Sequence, residues 1–229
     1  MNNLAVIVPF YNEERYLELS VKRLLKHDIY HQILLVDDCS TDKSTKIAKD
    51  LTLLNNKITY LRSLENSGKG NALSIAKESL KTTHVVVHDA DLEYFPEDIV
   101  EMYNLVPSNE NSLILGSRFL GKKVRKNLYK RTLFANKIMS VFFSLVNGYS
   151  VTDVATCYKL MPVSFFKETD IREKGFSVEI EILSKFLKYN KSICEVPIMY
   201  EGRSYKEGKK IKTSDGFLYL INTIKYRIS

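Results

Sequence analysis

Cysteine is scarce: the 229 residues contain three, Cys39, Cys157 and Cys194, and none belongs to a Cys-x-x-Cys pair. An odd and scattered set excludes a disulfide framework and a zinc knuckle, and it fits a reducing cytoplasm. Nowhere do 18 apolar residues run together, so a spanning helix is excluded and any membrane contact is peripheral. Met1 to Glu14 has no basic leader and turns acidic at once, unlike a secretory signal. The Walker spacing G-x-x-x-x-G-K-[ST] is absent around Gly68-Lys69-Gly70, and the third glycine of G-x-G-x-x-G is Leu73. Gly-x-Ser-x-Gly is missing too, which removes the support for a hydrolase nucleophile elbow. No helix-turn-helix, zinc-finger or aromatic RNP pattern accompanies the positive charge, so nucleic acid is not an expected partner. There is no internal repeat and no low-complexity linker.

What is present is enough apolar residue, 45%, to bury the core of one domain over residues 1–229. Its net charge of +7 is unevenly spread. Residues 1–115 carry 12 Lys+Arg against 17 Asp+Glu, a net of −5, and residues 116–229 carry 22 against 10, a net of +12. An acidic half suits a cation; a basic half suits phosphate groups, an anionic membrane surface, or simply solvated lysine.

The first half alternates β-type apolar runs with helical patterns, the mark of βαβ units and a largely parallel sheet. Strands are expected at Leu4 to Val8, Ile33 to Val36, Ile58 to Leu61 and His84 to His88. Helices are expected over Glu13 to His27, through Ile47, Ala48 and Leu51 with Asp37 to Asp42 as capping residues, over Lys69 to Leu80, and from Pro96 onward. The second half reads as a strand at Leu113 to Leu115, a basic loop from Gly116 to Arg131 and an apolar helix from Leu133 to Val146. Strands at Cys157 to Met161 and Ser192 to Tyr200 then flank a helix at Ser177 to Lys188. A Gly- and Lys-rich loop at Gly202 to Lys212 and an amphipathic tail at Phe217 to Tyr226 complete the chain.

In sheets of this kind ligands collect at the carboxyl ends of the strands. Three polar loops share that edge: Pro9 to Glu13, Asp37-Asp38, and Asp89-Ala90-Asp91. In extended backbone, side chains two apart face the same way, so Asp89 and Asp91 reach one point. Such a pair is half of a site for a hard divalent cation, completed by substrate phosphates and water, or else it ends a strand in a turn. Gly68-Lys69-Gly70 at a helix start is a modest anion-binding feature. His84 and His88 face away from the aspartates by parity, so they read as packed or surface residues. Arg118, Arg125, Lys126, Lys130 and Arg131 form a basic cluster suited to phosphate, or a solvated loop.

Together the motifs resemble family 2 of the glycosyltransferases, and within it the dolichyl- or polyprenyl-phosphate sugar transferases. The resemblance is carried in order by Val6 to Glu14, Val36 to Asp42, Gly68 to Ala72, Asp89 to Asp91, Gly116 to Phe119, Asp153 to Lys159, Phe176 to Glu181, Glu195 to Ile198, and Gly202 to Tyr205 with Glu207 to Ile211. It implies an α/β GT-A fold, a Rossmann-like three-layer αβα sandwich with a mostly parallel central sheet. Residues 1–115 would form the nucleotide-sugar and metal half, 116–212 the acceptor half and 213–229 the tail. The implied reaction is inverting transfer from a nucleotide-diphosphate sugar, GDP-mannose or a UDP-hexose.

By the same resemblance Pro9, Tyr11, Glu13 and Asp38 line the base and ribose pocket, with Lys69 beside the donor. Asp89 and Asp91 hold Mg²⁺ or Mn²⁺, Glu93 is a third contact, and Arg203 and Lys209 close over the diphosphate. On the lipid-phosphate reading Arg118 and Arg131 position the acceptor phosphate, which attacks unaided. On the alternative reading the acceptor is a saccharide hydroxyl in surface-glycan assembly (O-antigen, capsule or lipopolysaccharide). That acceptor needs a general base, for which Asp153, Glu179 and Glu181 are the candidates. Relatives often carry hydrophobic spans after this domain and this chain stops at Ser229 without them, which weighs against the lipid reading. Peripheral docking through the basic loop, the Leu133 to Val146 helix and the aromatic tail would serve it instead, and the expected location is the cytoplasm or the cytoplasmic membrane face. A sugar-nucleotide nucleotidyltransferase and a non-catalytic donor-binding module are the remaining alternatives.

Overall fold

A computed structural model describes residues 2–127, 130–190, 192–203 and 213–228, with the backbone alone at 130, 131 and 213–215. In chain order, β1 (Leu4–Phe10), α1 (Leu17–Leu24), β2 (Tyr30–Asp37), α2 (Ser44–Leu54), β3 (Ile58–Arg62), α3 (Lys69–Ala76) and β4 (His84–Val87) alternate as the apolar pattern predicts. The chain continues through α4 (Pro96–Asn104), β5 (Leu113–Ser117), β6 (Arg125–Lys126), α5 (Lys130–Asn147), β7 (Lys159–Pro162) and α6 (Val163–Glu168). It ends with α7 (Val178–Tyr189), β8 (Ile193–Pro197), β9 (Tyr200–Glu201) and α8 (Thr213–Ile228).

Seven strands form one sheet in the order β3-β2-β1-β4-β7-β5-β8, and β6 pairs with β9 apart from it. All pairings in the main sheet are parallel except those of β7, which runs antiparallel to β4 and β5. Leu4 to Val8 is fully buried on both faces, which is why β1 reads as an unbroken apolar run. Ala5 and Ile7 pack with Ala72 of α3, Phe143 of α5 and Phe186 of α7. Leu4, Val6 and Val8 pack with Val21 of α1, Ala48 of α2 and Ile99 of α4. Helices thus cover both faces, giving the three-layer sandwich. The path from β1 to β3 crosses the sheet one way and β4 returns on the other side of β1, so a crevice opens between the carboxyl ends of β1 and β4.

Several boundaries differ from the sequence reading, each for a local reason. α1 begins at Leu17 and not at Glu13, because the intervening loop is stapled sideways: the amides of Asn12, Glu13 and Glu14 donate to Ser40 Oγ, Ser44 Oγ and Asp42 Oδ2. The polar run after β2 therefore serves largely to fasten the β1 loop, while Asp42 and Asp37 bond to the start of α2, accepting from the Ser44 amide and the Thr45 hydroxyl. α3 ends at Ala76 and tightens into a 3₁₀ turn over Lys77–Ser79. Gly116 and Ser117 extend β5, and the short α6 has no counterpart in the sequence reading. Of the expected loop at 202–212, residues 204–212, Lys209 among them, lie outside the described residues.

The Gly68-Lys69-Gly70 turn shows why glycine is needed there. Gly68 sits at φ 92°, and a Cβ at Gly70 would lie 1.7 Å from the backbone oxygen of Glu173. The Gly70 amide donates to Lys174 O at 2.7 Å, so the turn is pressed against the 173–175 backbone, which has no side-chain freedom to yield. Gly70→Ala is expected to destabilise the protein by about 3 kcal/mol, at the upper end of overpacking costs, and to lower its melting temperature by roughly 10 °C in a circular-dichroism melt.

Candidate active site

Along β4 the side chains alternate. His84, Val86 and His88 face the α1 side, and Val85, Val87 and Asp89 the other. His88 is fully packed, Nδ1 to the Tyr158 hydroxyl at 2.8 Å and Nε2 to Ser20 Oγ at 3.1 Å. Burial, with the charges of Arg23 and Lys69 behind it, lowers its pKa to about 3, so it stays neutral. Beyond the strand, Leu92 adopts φ 64°, a left-handed conformation uncommon outside glycine, and the reversal turns Asp91 and Glu93 into the same cleft as Asp89. The cleft has a volume of about 260 Å³ and is lined by Pro9, Tyr11, Glu13 and Asp38 from the first two strand ends, by Lys69, and by Arg118, Glu179, Tyr200 and Arg203 from the second half.

Arg203 is the hub of one wall. Its guanidinium donates to Asp91 Oδ2 at 3.1 Å and to Glu13 Oε2 at 3.2 Å. Glu93 is occupied: Oε2 accepts from the Tyr200 hydroxyl at 2.5 Å and Oε1 from the Arg203 amide at 2.7 Å. Both Glu93 oxygens thus fasten the 200–203 segment to the aspartate turn, and Glu93 also lines the cleft beside Asp91. Asp91, in contrast, is short of positive charge. Burial, then the neighbouring charges of Glu93 and Asp89, raise its pKa from the ordinary 3.8 to about 7 despite Arg203.

These residues fit a divalent cation. Asp89 and Asp91 both line the cleft with hard oxygen donors, and the raised pKa of Asp91 shows an environment that a cation would relieve. Among the described residues no group of three or more His, Cys, Asp or Glu is arranged to hold a metal by itself. Such a shell would take its remaining oxygens from a substrate and water.

A buried ladder of alternating charge forms the opposite wall. Lys69 Nζ lies 2.6 Å from Asp89 Oδ1 and 2.8 Å from Glu179 Oε1, and Lys159 Nζ lies 2.6 Å from Glu179 Oε2. Burial alone would lower the pKa of Lys69, but Asp89 and Glu179 overcome it and raise that pKa well above its ordinary value. Asp38 accepts from the Ser67 and Gly68 amides at 3.0 and 2.6 Å, so it shapes the turn that carries Lys69.

The three candidate bases are all engaged. Glu179 reaches the cleft, yet both its oxygens meet lysine ammonium groups. Asp153 is fully buried and accepts from the Arg118 amide, Nε and Nη2 at 2.7 to 3.0 Å. Glu181 does not line the cleft: it accepts from the Arg172 and Glu173 amides and from Lys185. The structure thus removes Glu181 from the candidates and makes Asp153 the partner of Arg118. Arg118 itself lines the cleft while packing against Tyr94 and Tyr200. Arg131 lies in the first turn of α5 with its side chain outside the described residues.

Residue-level reading of the sequence missed Lys159 and the aromatic cluster. Tyr94 packs against Tyr158 at a tilt and meets Tyr200 edge-on, at centroid distances of 4.8 and 5.2 Å, with the Arg118 guanidinium over Tyr94 and Tyr200. The tyrosines come from three distant segments, and no spacing announces them. Lys159 opens a strand, where a lysine ordinarily marks the solvent end.

Comparison with known proteins bears on the family and the fold. The model of glycosyl transferase family 2 matches residues 5–170. The chain is 29% identical to the UDP-N-acetylglucosamine–dolichyl-phosphate N-acetylglucosaminyltransferase of Methanococcus voltae, over 97% of this chain and 96% of that one. It is 27% identical to the dolichol-phosphate mannosyltransferase of Pyrococcus furiosus, over 95% of this chain and 61% of that one. In fold it is similar to glucosyl-3-phosphoglycerate synthase of Mycobacterium tuberculosis crystallised with Mn²⁺, UDP-glucose and phosphoglyceric acid, with a TM-score of 0.74 at 16% identity, covering 99% of this chain and 79% of that one. The fold is GT-A, and the matched segment runs from β1 through α6, so it contains both aspartate loops and the Lys69 turn: the chain belongs to glycosyl transferase family 2 and is a glycosyltransferase.

Proposed function

We propose that the enzyme transfers a sugar, with inversion, from a nucleotide-diphosphate sugar (GDP-mannose or a UDP-hexose) to a polyprenyl or dolichyl phosphate. The observation that carries this reading is the state of the carboxylates. Asp153 and Glu181 are held by cations and backbone amides away from the cleft, and Glu179, which does line it, faces two lysine ammonium groups. An acceptor phosphate, already anionic near neutral pH, needs no base. Its oxygen forms the new bond to the anomeric carbon while the bond from that carbon to the diphosphate breaks, and the electron pair leaves with the nucleoside diphosphate.

Arg203 and Lys69, which line the cleft, would stabilise that developing charge. Asp89 and Asp91 would hold Mg²⁺ or Mn²⁺, which when bound supplies Lewis-acid stabilisation of the leaving group. Pro9, Tyr11, Glu13 and Asp38 would surround the base and ribose. Arg118, and with it Arg131 and Lys209, would supply positive charge to the acceptor and donor phosphates.

The helices of the second half support delivery of that acceptor from a membrane surface. No helix among the described residues is long and apolar enough to cross a membrane. Yet α8 is inverted: it buries Tyr219, Asn222, Thr223 and Tyr226 and exposes Phe217, Leu218, Ile221, Ile224 and Ile228. α5, packed against it, exposes Phe134, Ile138, Val141 and Leu145. Apolar stripes on these two packed helices, on the half of the chain with a net charge of +12, match an anionic lipid surface at the cytoplasmic face.

The test offers labelled UDP- and GDP-sugars, Mg²⁺ and polyprenyl phosphate in anionic or neutral vesicles. Label is expected in the lipid, faster from anionic vesicles. No transfer from any donor overturns the reading. Label passing to a saccharide instead selects hydroxyl transfer, and equal rates from both vesicles remove the membrane surface from it.

A further inference from the structure

We infer that Lys69 is an internal counter-cation: it holds the place of the metal at Asp89 in the ligand-free enzyme and passes to the diphosphate when the donor binds, so that metal and nucleotide bind as a coupled pair. The inference rests on the reading of the cleft as a site for a nucleotide diphosphate and a divalent cation.

Four observations carry it. Lys69 is 8% exposed by side chain, and its Nζ sits on the same carboxylate that the metal requires. A cation arriving alone at Asp89 must evict that ammonium group inside a buried site, where the repulsion between them is poorly screened. Lys69 is nevertheless free to leave without stranding its other partner. Glu179 keeps Lys159, which is 1% exposed and is fixed in turn by the carbonyls of Val154 and Thr156.

Finally, Lys69 begins α3, whose amino end favours an anion in its vicinity. A diphosphate in the cleft therefore gives the displaced ammonium group a new partner, and the charge count of the wall is restored. Glu179 is on this account a positioning residue: shared between two lysines, it keeps Lys69 within reach of both positions.

The experiment measures Mn²⁺ affinity by electron paramagnetic resonance of the free ion, with and without saturating UDP or GDP, in the full-length protein. In the wild type the nucleotide is expected to tighten Mn²⁺ binding by about 10- to 100-fold, within the usual range of coupling between sites. In Lys69→Met, Mn²⁺ alone is expected to bind about 5-fold or more tightly than in the wild type, and the nucleotide adds correspondingly less. Lys69→Arg, which keeps the charge, restores weak binding of the metal alone. Glu179→Gln moves the other way: with one negative charge gone from the ladder, Mn²⁺ alone binds more weakly.

Unchanged or weaker Mn²⁺ binding in Lys69→Met overturns the inference while leaving the donor site intact. Should that variant not fold, unchanged or tighter binding in Glu179→Gln overturns it equally. Failure of the wild type to bind either Mn²⁺ or nucleotide is a different result, which overturns the reading of the cleft itself.

Discussion

Asp91→Asn is expected to lower sugar transfer by about 10³-fold, the scale of removing one group aimed at developing charge, and at the same time to raise the melting temperature of the ligand-free protein. The two effects have one origin. The Asp91 carboxyl titrates near 7 in the folded protein and near 3.8 when exposed, so across that window the folded state holds a proton that the unfolded state has released. The stability of the wild type therefore falls as pH rises from about 4 to about 7 and is level above it. Asparagine does not titrate, so the variant loses this slope. At pH 8 it should melt roughly 5 °C above the wild type, an amount equivalent to about 2 kcal/mol, and at pH 4 the two should converge. Differential scanning calorimetry at the two pH values checks the sign. Added Mn²⁺ with nucleotide should stabilise the wild type alone. A variant that melts lower at pH 8 would show that Arg203 already compensates Asp91.

Asp153→Asn has the opposite signature. Asp153 is fully buried and receives three hydrogen bonds from Arg118, so neutralising it leaves a guanidinium in the interior with no charge partner. Breaking one side of a buried pair costs about 3–5 kcal/mol, and a protein of this size should lose roughly 10 °C or more in melting temperature. A thermal melt followed by circular dichroism measures it. An unchanged melting temperature together with abolished turnover would return Asp153 to the role of general base. Arg118→Met should be destabilised in the same way, because it strands the carboxylate instead.

How much of this was legible beforehand depends on how local each signal is. The strands β1 to β4 and the convergence of their loops follow from apolar periodicity and from parity, which is why Asp89, Asp91 and the outward turn of His88 were all readable. The late start of α1 was not, because it depends on Ser40, Asp42 and Ser44 crossing to the β1 loop, and nothing in Glu13 to Tyr16 argues against helix. Glycine at position 70 resembles a phosphate loop in sequence, and only the Glu173 backbone pressed against it reveals a packing reason. The ladder of Lys69, Glu179 and Lys159 was half visible. Glu179 drew notice as a carboxylate near the acceptor half, but its two lysines come from α3 and β7, and burial of a lysine has no signature in one sequence. The partners of Glu93 were illegible for a similar reason: Tyr200 and Arg203, more than a hundred residues away, bond both its oxygens.

The contacts of Arg203 also bear on how the enzyme comes into being. It joins Glu13 and Asp91 across sequence separations of 190 and 112, so contacts between distant parts of the chain close the cleft. Contacts of that kind form slowly and late, after the local βαβ units have condensed. A nascent chain on the ribosome could thus possess a folded sheet, a complete Asp89-to-Asp91 turn and a formed Lys69 helix, and still lack a donor site until residue 203 had emerged and docked.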